Sequence, residues 1–150
     1  MKIILFEPQI PQNTGNIVRT CAVTGTDLII YNPGFSTSDR MLKRAGLDYW
    51  EGVNVQIIEE LEELEKMLNE TTGNFYFFSS KATKRYSAIS YTKDDWLIFG
   101  SETTGLPSIF FEKWPENYAT IPMKEGARCL NLATSAGVVV YEAWRQQNFE

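Results

Sequence analysis

Histidine is absent from this chain of 150 residues, and cysteine occurs only twice. Without histidine there is no Ser-His-Asp triad and no histidine-ligated metal, and two cysteines cannot build a thiolate zinc site. We therefore expect no metal, and proton transfer would fall to Glu, Asp, Lys, Tyr, Arg or the substrate. The two lone thiols, Cys21 and Cys129, predict a reducing compartment without a disulfide framework.

Long apolar runs, a signal-peptide pattern and an excess of positive charge are also missing. No apolar run reaches about 18 residues, so we expect no transmembrane helix. The start of the chain lacks a cleavage pattern and is typical of a first strand, which predicts a cytoplasmic protein. The net charge of −5 gives no bulk support to nucleic-acid binding, so such a partner would need a local basic patch.

What the chain does have is an apolar content of 43%, which is enough for a core. Strands are predicted at residues 2–6, 27–31, 53–58, 75–78, 96–99 and 118–121. Helices are predicted at residues 16–23, 38–45, 59–70 and 130–146, and Asn13-Thr14 can cap the first of them. Several strands are continuously apolar, which is typical of a parallel sheet covered on both faces. We predict an α/β fold with a mostly parallel sheet and helices on both faces, in a single domain over residues 1–150.

The last predicted helix has almost no charge over most of its length. The β-branched run at residues 138–140 would suit a strand, but the length of the segment and the absence of proline favour a helix. A helix this apolar has to be covered on most sides. It either lies buried on its own sheet or packs there and on a second subunit as well.

Three loops rich in Gly, Asn, Ser and Thr follow predicted strands, where α/β sheets bind ligands. Each has an ordinary explanation, since Asn13 and Asn131 would cap helices and Glu102 would be a surface residue in a turn. Alternatively, Arg19 and helix-start amides would meet a phosphate or RNA backbone, and glycines beside Glu102 would admit a flat ligand. The chain lacks a dinucleotide fingerprint and a Walker loop, which disfavours NAD and ATP.

Taken in order, the three loops resemble the signature motifs of the SpoU branch of the SPOUT RNA methyltransferases. The matching residues are Asn13, Gly15 and Arg19, then Gly100, Glu102, Gly105 and Leu106, then Ile121-Pro122-Met123 with Asn131-Leu132. The stretches EPQIPQNTGNIVRTCAVTG, KRAGLDYW and VVVYEAWRQ further resemble the group of tRNA (cytidine(34)-2′-O)-methyltransferases. The likeness covers essentially the whole chain.

The resemblance implies a C-terminal deep trefoil knot, S-adenosylmethionine bound by the knotted loops, and a homodimer without an added RNA-binding domain. It implies methyl transfer to the ribose 2′-hydroxyl of the wobble nucleotide, cytidine or uridine 34, in the tRNA anticodon loop. A 2′-O-methyltransferase for another tRNA or rRNA position stays open as an alternative. So do a non-catalytic RNA-binding dimer of the same fold and, with less support, a nucleotide-binding oxidoreductase.

The resemblance also assigns roles to residues. Arg19 would activate or orient the hydroxyl, Glu102 would position Arg19 or the cofactor loop, and Asn131 would order the knot. The implied cofactor contacts are Phe78, Ser79, Gly100, Glu102, Gly105, Ile121, Met123, Cys129, Leu130 and Ala133. The implied substrate contacts are Asn13, Arg19, Arg40, Lys43, Arg44, Lys81, Arg128 and Tyr141, with Lys84 and Arg85 as further RNA-docking candidates.

Two positions depart from the family, whose close members carry Leu in place of Phe78 and Ser in place of Cys129. An aromatic side chain at Phe35, Tyr49 or Trp50 would stack on an extruded base.

Overall fold

The computed structural model describes residues 1–38 and 52–150. Within these ranges, six strands form one sheet, and every strand pairing is parallel. The strands are β1 (Lys2–Phe6), β2 (Asp27–Tyr31), β3 (Val55–Ile58), β4 (Phe75–Phe78), β5 (Trp96–Phe99) and β6 (Tyr118–Ala119). Their order across the sheet is β3-β2-β1-β5-β4-β6. The predicted α/β class is confirmed.

Four α-helices and two short 3-10 turns accompany these strands in the part of the chain that the structure describes. The helices are α1 (Pro11–Thr24), α2 (Leu61–Glu70), α3 (Ser108–Lys113) and α4 (Leu132–Arg145), and the turns are Tyr86–Ala88 and Pro115–Asn117. The six-residue α3 was not predicted, because so short a segment shows no helical period. Arg40, Lys43, Arg44, Tyr49, Trp50 and nearly all of the helix predicted at residues 38–45 lie outside the described residues.

The start of α1 corrects one expectation. The helix begins at Pro11 and its N-cap is Ile10, which offers no side-chain hydrogen bond. Proline is suited to the first helical position because its fixed φ matches the helix. Asn13 therefore lies inside the first turn and does not cap the helix. The predicted stop at Gly25 is confirmed, with φ 65° and a backbone N–H that donates to the carbonyl of Cys21.

The sheet is covered on both faces, as predicted. Successive side chains of a strand point to opposite faces, so Ile3 and Leu5 pack with α1 and α4, while Ile4 and Phe6 pack with α2 and α3. The β-branched run near residue 139 lies in α4 and contributes buried side chains to the first of these clusters. Continuous apolar strands are what a sheet with two covered faces requires.

The sheet order places the site. The strand order reverses between β1 and β5, and the loops that leave the carboxyl ends of neighbouring strands meet at such a point. The last strand is shorter than the predicted 118–121, because the chain leaves the sheet after Thr120, which bridges Arg85. Among residues 1–38 and 52–150, no helix has the length and apolar character needed to cross a membrane.

Candidate functional site

A cleft of about 590 Å³ lies beyond the carboxyl ends of β4, β5 and β6. Nine of the ten cofactor contacts expected from the sequence line it: Phe78, Ser79, Gly100, Glu102, Gly105, Ile121, Met123, Cys129 and Leu130. The tenth, Ala133, is partly buried against the core in the first turn of α4. The cleft also takes in Ile10 and Phe99, which the sequence analysis did not single out.

Apolar side chains form much of the accessible wall. Ile10, Met123 and Leu130 face this cleft with 42%, 37% and 41% of their surface exposed. Phe78 is buried and stacks on Phe99 with ring centroids 5.0 Å apart. The aromatic ring that departs from the family thus fills core space, and a bound molecule would meet mainly its backbone and ring edge.

The loop from Gly100 to Leu106 closes on itself. Ser101 and Gly105 exchange two backbone hydrogen bonds, at 3.2 and 3.0 Å. Gly105 adopts φ 68°, which favours glycine, and a Cβ at Gly100 would lie 2.5 Å from the backbone nitrogen of Leu106. The loop's backbone folds back on itself at this wall of the cleft, and that close approach requires both glycines.

Glu102, carried by that loop, binds the start of α1. Its carboxylate accepts hydrogen bonds from the backbone N–H of Gln9 at 2.7 Å, from the N–H of Ile10 at 3.1 Å and from Nδ2 of Asn13 at 3.1 Å. A helix start presents unpaired N–H groups and a positive dipole end, both of which favour a carboxylate. Glu102 thus holds, from another loop, the two residues that enter α1 and a side chain of its first turn, and it positions the helix that carries Arg19.

Asn13 and Asn131 continue this polar chain. Asn13 is only 6% exposed, and its Oδ1 accepts from Nδ2 of Asn131 at 2.8 Å. The Oδ1 of Asn131 accepts from the backbone N–H groups of Ala133 at 2.8 Å and Thr134 at 3.3 Å, which confirms the predicted helix cap. One side chain from each of the three motifs therefore joins a single hydrogen-bonded chain, Glu102–Asn13–Asn131.

The two ends of the Glu102–Asn13–Asn131 chain determine which group donates and which accepts in each of its hydrogen bonds. An ionised carboxylate only accepts and the N–H groups of a helix start only donate, so each amide between them has one satisfactory orientation. Asn13, expected to contact substrate, has both polar side-chain atoms engaged inside the protein.

The expected substrate residues are arranged around this centre. Lys81 is exposed and lines the cleft. Arg19 is exposed on α1 and Arg128 is exposed in the loop before α4; neither belongs to the cleft lining. Tyr141 is 46% exposed on α4, where its ring meets Trp144 edge-on. The sheet therefore brings the cofactor residues together in the cleft, with Lys81 among its lining residues, and leaves Arg19 and Arg128 on the surrounding surface.

The two cysteines differ in environment. Burial raises the pKa of the Cys21 thiol to about 12, whereas Cys129 is exposed and lines the cleft. In the part of the chain that the structure describes, no three His, Cys, Asp or Glu side chains are grouped as a metal site requires.

Comparison with known proteins agrees with this geometry. The family model described as the SpoU rRNA Methylase family matches residues 1–141. This chain belongs to the SpoU rRNA methylase family. A Listeria monocytogenes relative is 49% identical over 98% of this chain and 88% of its own length, and carries the provisional name tRNA (cytidine(34)-2′-O)-methyltransferase.

Solved structures share the fold. One described as "Structural insights into the 2-OH methylation of C/U34 on tRNA" has a TM-score of 0.89 and 35% identity, covering 99% of this chain and 97% of that one. The SpoU methyltransferase AviRb from Streptomyces viridochromogenes, solved with AdoMet, has a TM-score of 0.86. At 21% identity, over 99% of this chain and 58% of that one, AviRb supports the fold alone.

Proposed function

We propose that this protein is a tRNA 2′-O-methyltransferase that moves a methyl group from S-adenosylmethionine to the ribose 2′-hydroxyl of nucleotide 34, cytidine or uridine. The observation that carries the proposal is the Glu102–Asn13–Asn131 chain, which joins the three family motifs around one cleft. The family membership and the named relatives of nearly equal length support the same activity.

The cleft fits the cofactor in size and chemistry. Its volume of about 590 Å³ falls within the range of about 300–1,000 Å³ usual for small-molecule sites. Apolar walls at Ile10, Met123 and Leu130 suit the flat adenine, while loop backbone and hydroxyls such as that of Ser79 offer polar contacts. When bound, the cofactor supplies an electrophilic methyl group on a sulfonium.

The protein's own residues would align the hydroxyl for an in-line displacement, a reaction in which alignment does much of the work. The hydroxyl oxygen would gain the methyl carbon as the bond from that carbon to sulfur breaks, and the hydroxyl proton would pass to water. Because a guanidinium group is a hydrogen-bond donor and not a base, we assign Arg19 to orienting the 2′-hydroxyl and binding the adjacent phosphate. Glu102 holds the start of the helix that carries Arg19. Asn131 fixes the entrance of α4 and the preceding loop.

RNA docking would use the exposed cations near the cleft. Lys81, Lys84 and Arg85 follow β4, and Arg128 lies in the loop that enters α4. Because the whole chain carries a net charge of −5, this local concentration of cations is what a phosphate backbone requires. We predict the same role for Arg40, Lys43 and Arg44, which lie outside the described residues. Substrate contact by Tyr141 also stays a prediction.

The assembly is part of the proposal. We propose a cytoplasmic homodimer of one domain over residues 1–150, with the loop before α4 threaded into a trefoil knot. Val23 on α1 and Tyr141 on α4 are 65% and 46% exposed on two helices that cover the same sheet face, and exposed apolar surface favours association. Sedimentation equilibrium at micromolar protein should give twice the chain mass, and a mass of one chain would contradict the dimer. A crystal structure would trace the knot.

The decisive experiment is methyl transfer. Purified protein is incubated with S-adenosylmethionine and total tRNA from cells that lack it, and 2′-O-methyl groups are mapped by mass spectrometry. A new methyl at nucleotide 34 is expected. A methyl at another position would favour the alternative substrate, and no methyl from a folded, cofactor-binding protein would favour an RNA-binding dimer.

Arg19→Ala tests the assigned role. Methylation should fall at least a hundredfold while cofactor affinity and thermal stability stay close to wild type, because Arg19 is exposed and outside the cleft lining. Lys66→Ala is the matched control, since Lys66 is an exposed cation on α2. Full activity of the Arg19 variant would contradict the assignment.

A further inference from the structure

Two residues that are not glycine adopt left-handed backbone conformations side by side. Glu7 has φ 48° and Asn32 has φ 42°. They directly follow Phe6 and Tyr31, which are register partners in β1 and β2. Asparagine tolerates this conformation, but glutamate adopts it rarely. Strain of this kind persists where the surrounding structure enforces it, and it concentrates at functional sites.

Hydrogen bonds hold Glu7 and Asn32 in this left-handed conformation. The backbone N–H of Glu7 donates to the carbonyl of Tyr31 at 2.8 Å, and that of Asn32 to the carbonyl of Ile58 at 2.9 Å, so the sheet ladder continues for one more residue on each strand. Nδ2 of Asn32 then donates to a carboxylate oxygen of Glu7 at 3.0 Å. The segments that follow β1 and β2 therefore both leave the sheet at the same level. The hydrogen bond between the side chains of Asn32 and Glu7 joins them.

The turn at Glu7 leads directly to the site. Nε2 of Gln9 donates back to the carbonyl of Glu7 at 2.8 Å, and the N–H of Gly34 donates to the carbonyl of Pro8 at 2.9 Å. Held in this way, segment 8–10 presents two consecutive amides, those of Gln9 and Ile10, to the carboxylate of Glu102. A contiguous hydrogen-bonded path thus runs from Asn32 through Glu7 and segment 8–10 to Glu102.

We propose that Glu7 and Asn32 are positioning residues for methyl transfer, which hold segment 8–10 and the start of α1 against Glu102. The inference rests on the proposed function and extends it to two residues that do not line the cleft. The opposite wall closes independently through the Ser101–Gly105 hydrogen bonds. Segment 8–10 contributes one residue, Ile10, to the cleft lining. Loosening the segment should therefore disturb the start of the helix that carries Arg19 more than it disturbs the cofactor site as a whole.

The expected signature is a loss of turnover with little loss of cofactor affinity. Glu7→Ala removes the acceptor, and Asn32→Asp sets one carboxylate against another. Each should lower kcat about tenfold, since small misplacements near a reacting centre have effects of this order or larger. The dissociation constant for S-adenosylmethionine should stay within about twofold of the wild-type value, because Ile10 is the only residue of segment 8–10 that lines the cleft and the Ser101–Gly105 bonds are untouched.

Conservative variants separate positioning from general structural damage. Glu7→Gln keeps an accepting oxygen and should retain kcat within about twofold. The double variant Glu7→Gln/Asn32→Asp reverses the direction of the hydrogen bond, with the new amide donating to the new carboxylate, and should recover most of the activity lost in Asn32→Asp. Glu63→Ala, on the exposed side of α2, is the control for removing a carboxylate.

The measurements are kcat and KM for tRNA at saturating cofactor, cofactor affinity by calorimetry, and the thermal midpoint of each variant. Wild-type kcat in Glu7→Ala would overturn the inference, as would equal losses in Glu7→Gln and Glu7→Ala. Parallel losses of kcat and cofactor affinity would also overturn it. A wild-type protein that methylates no tRNA would overturn the proposed function and this inference with it, whereas an active wild type with unaffected variants would overturn the inference alone.

Discussion

Replacing Asn13 by aspartate should disrupt the chain that joins the three motifs. The substitution keeps the size of the side chain and the oxygen that accepts from Asn131, at 2.8 Å. It changes only the other atom, since the amide nitrogen that donates to Glu102 at 3.1 Å becomes a carboxylate oxygen. The new carboxylate and the carboxylate of Glu102 then face each other as two acceptors. They do so at a buried position, since Asn13 is only 6% exposed.

The cost can be worked from this geometry. Two unit charges at 3.1 Å repel by about 5 kcal/mol at an effective dielectric constant near 20. A hydrogen bond to a charged group, worth about 1.5–3 kcal/mol, is lost as well. Binding a proton limits the damage, because a protonated carboxyl can again donate to Glu102. Protonating a carboxyl of ordinary pKa at pH 7 costs about 4 kcal/mol, so we expect Asn13→Asp to lose about that much stability.

Because binding a proton limits the loss of stability in Asn13→Asp, that loss should become smaller as the pH falls. The cost of the proton falls by about 1.4 kcal/mol for each pH unit below 7, so the deficit should shrink steadily towards pH 5. At pH 7 the thermal midpoint should fall by about 8–16 °C for a chain of this size.

Urea unfolding at fixed protein concentration between pH 5 and pH 8 provides the test. Asn16→Asp is the control, because Asn16 is exposed on the same helix and gains the same charge. It should stay within about 0.5 kcal/mol of wild type. A deficit below about 1 kcal/mol for Asn13→Asp at pH 7, or one that does not change with pH, would refute the reasoning.

Three further predictions concern the cleft and α4. In Gly100→Ala the new Cβ meets the backbone of Leu106, so cofactor affinity by calorimetry should fall at least tenfold, whereas Gly137→Ala, with open space around its Cβ, should leave affinity unchanged. In the native protein iodoacetamide should modify Cys129 but not Cys21, whose pKa burial raises to about 12, and S-adenosylhomocysteine should slow that reaction; equal labelling of both thiols would contradict the burial. Hydrogen bonds from Arg145 and Gln146 lower the pKa of Glu142 from 4.5 to about 2, so wild type should lose stability as the pH falls through that interval, and Glu142→Gln should show a shallower loss in acid unfolding.

Strand positions were predictable because the strands are short apolar runs between polar turns. The bounds of β4 and β5 agree with the predicted 75–78 and 96–99. Element ends were less predictable, since they depend on hydrogen bonds between distant segments. Thr120 leaves the β6 ladder to bridge Arg85, and the first turn of α1 is bound by Glu102 from 92 residues away.

The location of the site followed from the motifs and from the parallel sheet, which brings loops at strand ends to one edge. The hydrogen bonds within the site could not be predicted from the motifs or from the sheet. An asparagine near a helix start suggests a cap, yet Asn13 and Asn131 look alike in sequence and only Asn131 caps a helix. The left-handed turn at Glu7 was also unpredictable, because glutamate carries no preference for φ near 48°.

The polarity of the Glu102–Asn13–Asn131 chain explains why three separately weak motifs act together. Its acceptor end lies on the Gly100–Leu106 loop and its donor end is the start of α4, so neither end can change role. Each asparagine between them has to donate towards Glu102 and accept from the side of α4. Replacing either asparagine by aspartate would set two acceptors against each other, and at the buried Asn13 this costs more than the bond itself. Through this chain the Gly100–Leu106 loop therefore holds both the start of the helix that carries Arg19 and the entrance of α4.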